Sequence, residues 1–322
     1  MRAIVVEKLG GPEVLTIEER DDPEPGNGQL AVRVGAVGVN YRDIYERMGV
    51  GGYAAQPPFV LGAEGAGTVL AVGPGVTGFA VGDHVAWINA PGSYAEQVLV
   101  PAAAAVPVPR HIDLKVAAAV VLQGMTAHYL CNSTFPVKEG NVAVVHAAAG
   151  GVGLLLTQMI KRRGGVVVAT TSTTPKAALA QQAGADYVTT YDEFVDAVRR
   201  VTGERGADVV FDGVGKDTFD RGLDALRPRG MMVLYGASSG PVPPFDPQRL
   251  NRAGSLYVTR PSLGHYAADR AELLWRAGDL FDWIAKGELD VRIGAEYPLS
   301  DAGRAQEDLV ARRTTGKLLL IP

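Results

Sequence analysis

The stretch that decides the fold is Val142–Gly153, VAVVHAAAGGVG. Its first four residues, Val142–Val145, form an apolar run of strand type. The run passes through small residues into Ala148-x-Gly150-x-x-Gly153, and an apolar segment of helical character, Leu154–Ile160, follows. Strand, glycine turn and helix in that order place a helix N-terminus under a dinucleotide pyrophosphate in a doubly wound sheet, because the first turn of a helix carries unsatisfied N–H groups. Ala148 and Gly150 leave the backbone bare enough for a phosphate to approach, and Gly153 lets the helix pack on the strand.

The next strand, Val166–Thr170, reads the cofactor. About 20 residues past the glycines, a site for NAD presents Asp or Glu to the ribose 2′-hydroxyl. Here that place reads Thr170-Thr171-Ser172-Thr173-Thr174-Pro175-Lys176, and no carboxylate occurs from Gly140 to Ala185. A carboxylate would repel a 2′-phosphate, whereas hydroxyls and a lysine would bind it. The expected cofactor is therefore NADPH rather than NADH, with Lys176 and Ser172 on the 2′-phosphate.

Outward from this unit the chain divides. A length of 322 residues suits two domains. Residues 1–122 read mostly as short strands, such as Ile4–Val6, Leu30–Val39, Gly67–Val72, His84–Ile88 and Tyr94–Val100, separated by Gly- and Pro-rich turns. Residues 123–264 alternate strand and helix, ending in a strand at Ser255–Val258. Tyr266–Lys286 reads as one long helix, and the tail holds a helix and a last strand, Lys317–Ile321; residues 265–322 are expected to return to the first domain. The fold class is α/β: a small β-barrel domain beside a parallel sheet. Hydrophobic content of 47 %, charged content of 20 % and a net charge of −4 give no electrostatic reason to expect nucleic acid or anionic membrane as partner. No apolar run is read as a membrane span, and no signal peptide is read at the N-terminus. The single cysteine, Cys131, excludes an intrachain disulfide and fits a reducing cytoplasm.

These residues resemble the medium-chain dehydrogenase/reductase superfamily over the whole chain, and within it the zinc-free NADPH:quinone oxidoreductases. The blocks that carry the likeness are Gly38-Val39-Asn40-Tyr41-Arg42-Asp43, Leu61-Gly62-Ala63-Glu64-Gly65-Ala66-Gly67, Gly82-Asp83-His84-Val85, His146–Gly153 and Gly254–Leu263. The resemblance implies a GroES-like catalytic domain, a Rossmann domain and an active site in the cleft between them. Zinc-dependent relatives take catalytic ligands at the places held here by Tyr41 and Ala63, and carry a four-cysteine lobe after the third block; this chain has neither. No metal is expected. Without a Lewis acid, an acceptor that is already electron-poor, such as a quinone or an alkene conjugated to a carbonyl, suits direct transfer from nicotinamide.

The same resemblance places Asn40, Tyr45 and Tyr53 around substrate and nicotinamide. It sets Thr126, near Gln123 where the helix entering the Rossmann domain opens, on the cofactor; Thr126 as a helix cap is the simpler alternative. It sets Ala149, Gly150, Gly151 and Val152 along the pyrophosphate turn, and adds Tyr191 and Arg312 to the 2′-phosphate, with Arg313 as the alternative to Arg312. Val214, Ser238 and Ser239 fall at the C-terminal edge of the sheet, where ligands bind in open α/β folds. Arg260 follows the sixth strand, which is expected at a sheet edge that pairs across a two-fold axis in a homodimer. An enoyl or enone reductase is the nearest rival function. A non-catalytic NADPH-binding or RNA-binding protein is the rival from another class, disfavoured by the negative charge.

Overall fold

The computed structural model describes residues 1–52 and 55–322. Tyr53, one of the expected substrate residues, lies outside them.

The chain opens with strands β1 (Arg2–Val6), β2 (Leu15–Glu19) and β3 (Gln29–Val39). Helix α1 (Tyr41–Met48) follows at once, in a region whose sequence reads as strand and turn. Its start is set locally: the Asp43 carboxylate accepts from the backbone N–H of Asn40 at 2.9 Å. Gly49, with φ 68, ends it in the left-handed conformation that favours glycine. Strands β4 (Phe59–Val60), β5 (Gly65–Val72), β6 (His84–Trp87), β7 (Gln97–Pro101) and β8 (Ala105–Pro107) complete this half.

Helix α2 (Leu114–Tyr129) and a wider turn, Leu130–Thr134, come next. By length and composition alone the segment Leu114–Thr134 could cross a membrane, but 72 % of its most apolar stretch is buried in the protein, as in a core helix. It begins where Asp113 accepts from the N–H of Lys115, so Gln123 and Thr126 lie in mid-helix. Thr126 is therefore not an N-cap.

The second unit is built from β9 (Val142–Val145), α3 (Gly151–Arg162), β10 (Val166–Thr170), α4 (Thr174–Gln182), β11 (Tyr187–Thr189), α5 (Phe194–Thr202), β12 (Ala207–Asp212), α6 (Phe219–Ala225), β13 (Leu226–Leu234), α7 (Gln248–Arg252), β14 (Tyr257–Thr259) and α8 (Leu263–Tyr266). All six strands run parallel in the order β11-β10-β9-β12-β13-β14. This is the doubly wound order, with its reversal between β9 and β12. β9 and β12 are buried along their whole length, which is why β9 and the Val209–Phe211 centre of β12 read as continuous apolar runs. β14 is an edge strand.

The last segment corrects one expectation. The long helix expected over Tyr266–Lys286 is α9 (Arg270–Ala285), which starts four residues later because Asp269 caps it by accepting from the N–H of Glu272; the short α8 precedes it. Strand β15 (Ile293–Pro298), helix α10 (Ala302–Val310) and strand β16 (Lys317–Ile321) follow. β15 and β16 join the first unit in a seven-stranded sheet, β15-β16-β3-β5-β6-β8, with β7 also paired to β3. The chain forms two compact units, one of Met1–Met125 with Ala267–Pro322 and the other of Thr126–Tyr266.

Candidate active site

In the second unit, the turn after β9 is held from below. The fully buried His146 places Nδ1 2.9 Å from the hydroxyl of Thr170, tying the end of β9 to the end of β10. Burial holds its imidazole pKa below the ordinary value, and Phe194 meets the ring edge-on at 4.8 Å. Ala147 takes a left-handed φ of 52°, and its N–H donates to the Tyr191 hydroxyl at 3.2 Å. Arg221 in turn donates to the carbonyl of Tyr191 at 2.7 Å.

Gly150 is the N-cap of α3, so no side chain caps this helix, and its first turn carries no acid. Gly151 and Val152 are half-buried, while Ala149 is buried. A Cβ on Gly153 would lie 2.5 Å from the Ala147 carbonyl oxygen and 2.7 Å from the Ala148 Cα, so only glycine allows this approach of helix to strand. A Cβ on Gly150 would meet one atom, Ala147 O at 3.2 Å. An uncapped N-terminus behind a bare turn fits a pyrophosphate: the N–H groups of the first turn supply donors and partial positive charge.

The loop after β10 gathers the expected 2′-phosphate groups at a second helix N-terminus. The Thr173 hydroxyl accepts from the Lys176 N–H, capping α4. Ser172, Thr173 and Thr174 are exposed and Lys176 is half-buried. Ser172, Thr173 and Thr174 border an open groove of about 840 Å³, also lined by Asp186, Thr189, Thr190, Glu193 and Arg200.

Past β12, the buried Asp212 carboxylate accepts from the N–H groups of Val214 and Gly215 and from the Thr218 hydroxyl, at 2.7, 3.0 and 2.8 Å. The Ser239 hydroxyl donates to the Val214 carbonyl at 2.8 Å and accepts from Asp217 N–H at 3.1 Å. Ser239 thus braces the two loops at the sheet edge, with Ser238 beside it and half-buried. Arg260 is exposed after β14 and donates to the Pro261 carbonyl. Thr126 is buried in α2. In the tail of the first unit, Arg313 pairs with Asp308 at 2.9 Å, while its neighbour Arg312 takes a φ of 56°.

Within the first unit, Asn40 meets three residues that sequence reasoning missed, while Tyr45 lies further along α1. Tyr45 is half-buried on α1, 6.3 Å from the ring of Tyr41. The Tyr41 hydroxyl donates to the Leu309 carbonyl. Asn40 is buried with both amide hydrogens directed inward, to the Gly38 carbonyl at 3.2 Å and to the Glu64 carboxylate at 2.7 Å. Its Oδ1 accepts from the Lys317 ammonium at 2.9 Å, and Lys317 also pairs with Glu64. Neither Glu64 nor Lys317 is exposed beyond 1 %. The third, Asp43, is wholly buried, and burial pushes its carboxyl up to about 7 against the pull of Arg42, the Asn40 N–H and the Tyr94 hydroxyl. Glu64 sits inside a recognised block, but Lys317 follows it by 253 residues and carries no local signal. Among the described residues, no group of three His, Cys, Asp or Glu side chains is placed to hold a metal ion.

An uncapped glycine turn at the reversal of a six-stranded parallel sheet defines a dinucleotide-binding unit, joined here to a barrel-like β unit. Residues 26–110 match the family described as alcohol dehydrogenase GroES-like domain, and residues 151–275 that described as zinc-binding dehydrogenase. The chain is 40 % identical to a 2-haloacrylate reductase from a Burkholderia species, over 99 % of this chain and 98 % of that one. Two solved structures resemble it over their full lengths: a mycobacterial protein complexed with NADPH, at 48 % identity and a TM-score of 0.97, and the Escherichia coli quinone oxidoreductase complexed with NADPH, at 40 % and 0.96. The chain belongs to the medium-chain dehydrogenase/reductase family.

Proposed function

We propose that this protein is an NADPH:quinone oxidoreductase that works without a metal. The observation that carries the reading is the pair of helix N-termini in the second unit. One is uncapped and bare at Gly150–Gly153; the other gathers Ser172 and Lys176 in a segment free of carboxylates. NADPH, when bound, supplies the hydride. Gly150, Gly151 and Val152 hold the pyrophosphate through backbone N–H groups, with the buried Ala149 shaping the turn. Lys176 and Ser172 hold the 2′-phosphate, with Arg312 contributing from the tail, and the charge-assisted contact to the 2′-phosphate, which NADH lacks, favours NADPH. Tyr191 serves the turn through Ala147 as well as the ribose side. Thr126, Val214, Ser238, Ser239 and Arg260 line the remainder of the cofactor.

Tyr45 and Tyr53 are assigned to the acceptor: a phenol donates to the oxygen on which charge develops as the quinone is reduced. Asn40 has no amide hydrogen left for that oxygen, so its role is confined to accepting through Oδ1. The places where zinc-dependent relatives hold metal are a tyrosine engaged with Leu309 and an alanine, which supports the metal-free reading. The protein is assigned to the cytoplasm, as a homodimer joined through the edge strand β14, and neither nucleic acid nor membrane is assigned as a partner.

The likeness to a 2-haloacrylate reductase favours one second reading, reduction of an activated carbon–carbon double bond on the same scaffold. The test is NADPH oxidation by the chelator-treated protein, with 1,4-benzoquinone in one assay and an enone or 2-chloroacrylate in another. Quinone turnover, with NADH much poorer, supports the first reading. Turnover of the alkene alone replaces it with the second, and loss of activity restored by zinc overturns the metal-free assignment.

A further inference from the structure

Three distant segments meet around one amide in the first unit. Lys317 opens β16, Glu64 precedes β5, and Asn40 joins β3 to α1. The amide of an asparagine can sit either way round, with oxygen and nitrogen exchanged, and its partners decide which. Here the decision is complete. A cation faces Oδ1 and a carboxylate faces Nδ2, so the reversed amide would set N–H against ammonium and oxygen against carboxylate. The remaining Glu64 oxygen accepts from the Leu122 N–H of α2 at 2.8 Å, which fixes the carboxylate from its other side. The packing is tight enough to demand glycine nearby: a Cβ on Gly38 would lie 2.2 Å from Glu64 Oε2 and 2.6 Å from Lys317 Cε.

We propose that Lys317 is a positioning residue: with Glu64 it locks the Asn40 amide so that position 40 presents only an acceptor, and thereby selects an N–H or O–H donor such as the carboxamide or ribose of the nicotinamide half of the cofactor. The proposal rests on the assignment of Asn40 to the nicotinamide and acceptor region. Lys317 itself touches no ligand. Since the same amide belongs to the residue that starts α1, the lock also sets the helix that carries Tyr45.

The test uses Lys317→Met, Lys317→Arg and the double variant Glu64→Gln/Lys317→Met. Removing one partner strands a buried charge, whereas replacing both leaves none, so the double variant keeps the fold within reach if the single one fails. In the double variant a neutral amide replaces the carboxylate and Asn40 is free to reverse. Two readouts are taken on folded protein, normalised by titration of NADPH-binding sites: the emission spectrum of bound NADPH, and kcat with KM for 1,4-benzoquinone. The expected result is retained NADPH affinity, an altered emission maximum and a kcat lower by about tenfold or more, from misplacement of a reacting group. Lys317→Arg, which keeps a buried cation, is expected to recover most of both. A purely structural role would lower the number of binding sites without moving the emission maximum or the kcat per site. That result, in the double variant or in Lys317→Met, overturns the proposal. If the wild-type protein binds NADPH but reduces no acceptor, the catalytic reading fails separately and the emission maximum still decides the positioning role.

Discussion

Asp208→Asn tests how the parallel sheet is clamped. Asp208 lies at the start of β12, with its side chain 4 % exposed. It accepts from Val142 N–H at the start of β9 at 2.8 Å, and pairs with Arg205 at 3.0 Å and with Arg227 of β13 at 2.6 Å. Burial alone would push its carboxyl up; the two guanidinium groups and the backbone donor outweigh this and hold it at about 2, against an ordinary 3.8. A carboxyl depressed on folding contributes stability that is fully present above 3.8 and is lost as pH falls through 2. At neutral pH the shift corresponds to about 2.5 kcal/mol, and near pH 3 about half of that remains. The assay is urea unfolding of wild type and Asp208→Asn from pH 7 to pH 3, following a signal of the second unit. The variant is expected to be less stable by about 2–3 kcal/mol at pH 7, with the gap closing towards pH 3. A gap that stays constant across this range would refute the reasoning, since it would show that the charge of Asp208 is not what clamps the three strands.

Lys176→Ala is expected to weaken NADPH binding by about 1.5–3 kcal/mol, one charge-assisted phosphate contact, while NADH binding changes little; titration with both cofactors checks it, and equal weakening removes Lys176 from the 2′-phosphate. Gly153→Ala places a methyl group against the Ala147 and Ala148 backbone, so a stability loss of about 1–3 kcal/mol with weakened NADPH binding is expected by thermal melting and titration. Asp43 has the opposite sign to Asp208: its folded pKa is raised to about 7, so its contribution is full below 3.8 and is lost as pH rises through 7, by up to about 4 kcal/mol. Wild-type stability measured from pH 4 to pH 8 should therefore fall more steeply than that of Asp43→Asn. Prolonged chelation is expected to leave NADPH oxidation unchanged, checked against a zinc-supplemented control.

The parallel sheet was legible because its signals are local. Four apolar residues, a turn that tolerates no side chain at Gly153, and a helix behind it occupy adjacent positions, and β9 lies where the apolar run places it. The absence of acid after β10 is equally a local fact. Short elements were harder. Helix α1 was hidden because its start depends on the Asp43 carboxylate reaching back to the Asn40 N–H, which outweighs the strand-like run before it. The long helix expected from Tyr266 is present, but its start moves to Arg270 for the same kind of reason, since Asp269 caps it there.

What the sequence by itself determined is therefore the class of fold, the order of its two units, the glycine turn and the carboxylate-free loop, all of which depend on residues that are neighbours in the chain. What only the tertiary structure decided is the environment around Asn40. Glu64 and Lys317 are 253 residues apart and meet because β16 pairs with β3, two strands from opposite ends of the chain. A buried lysine is indistinguishable in sequence from a solvated one, and its charge acquires meaning only when the fold has removed water and supplied a carboxylate and an amide oxygen in its place.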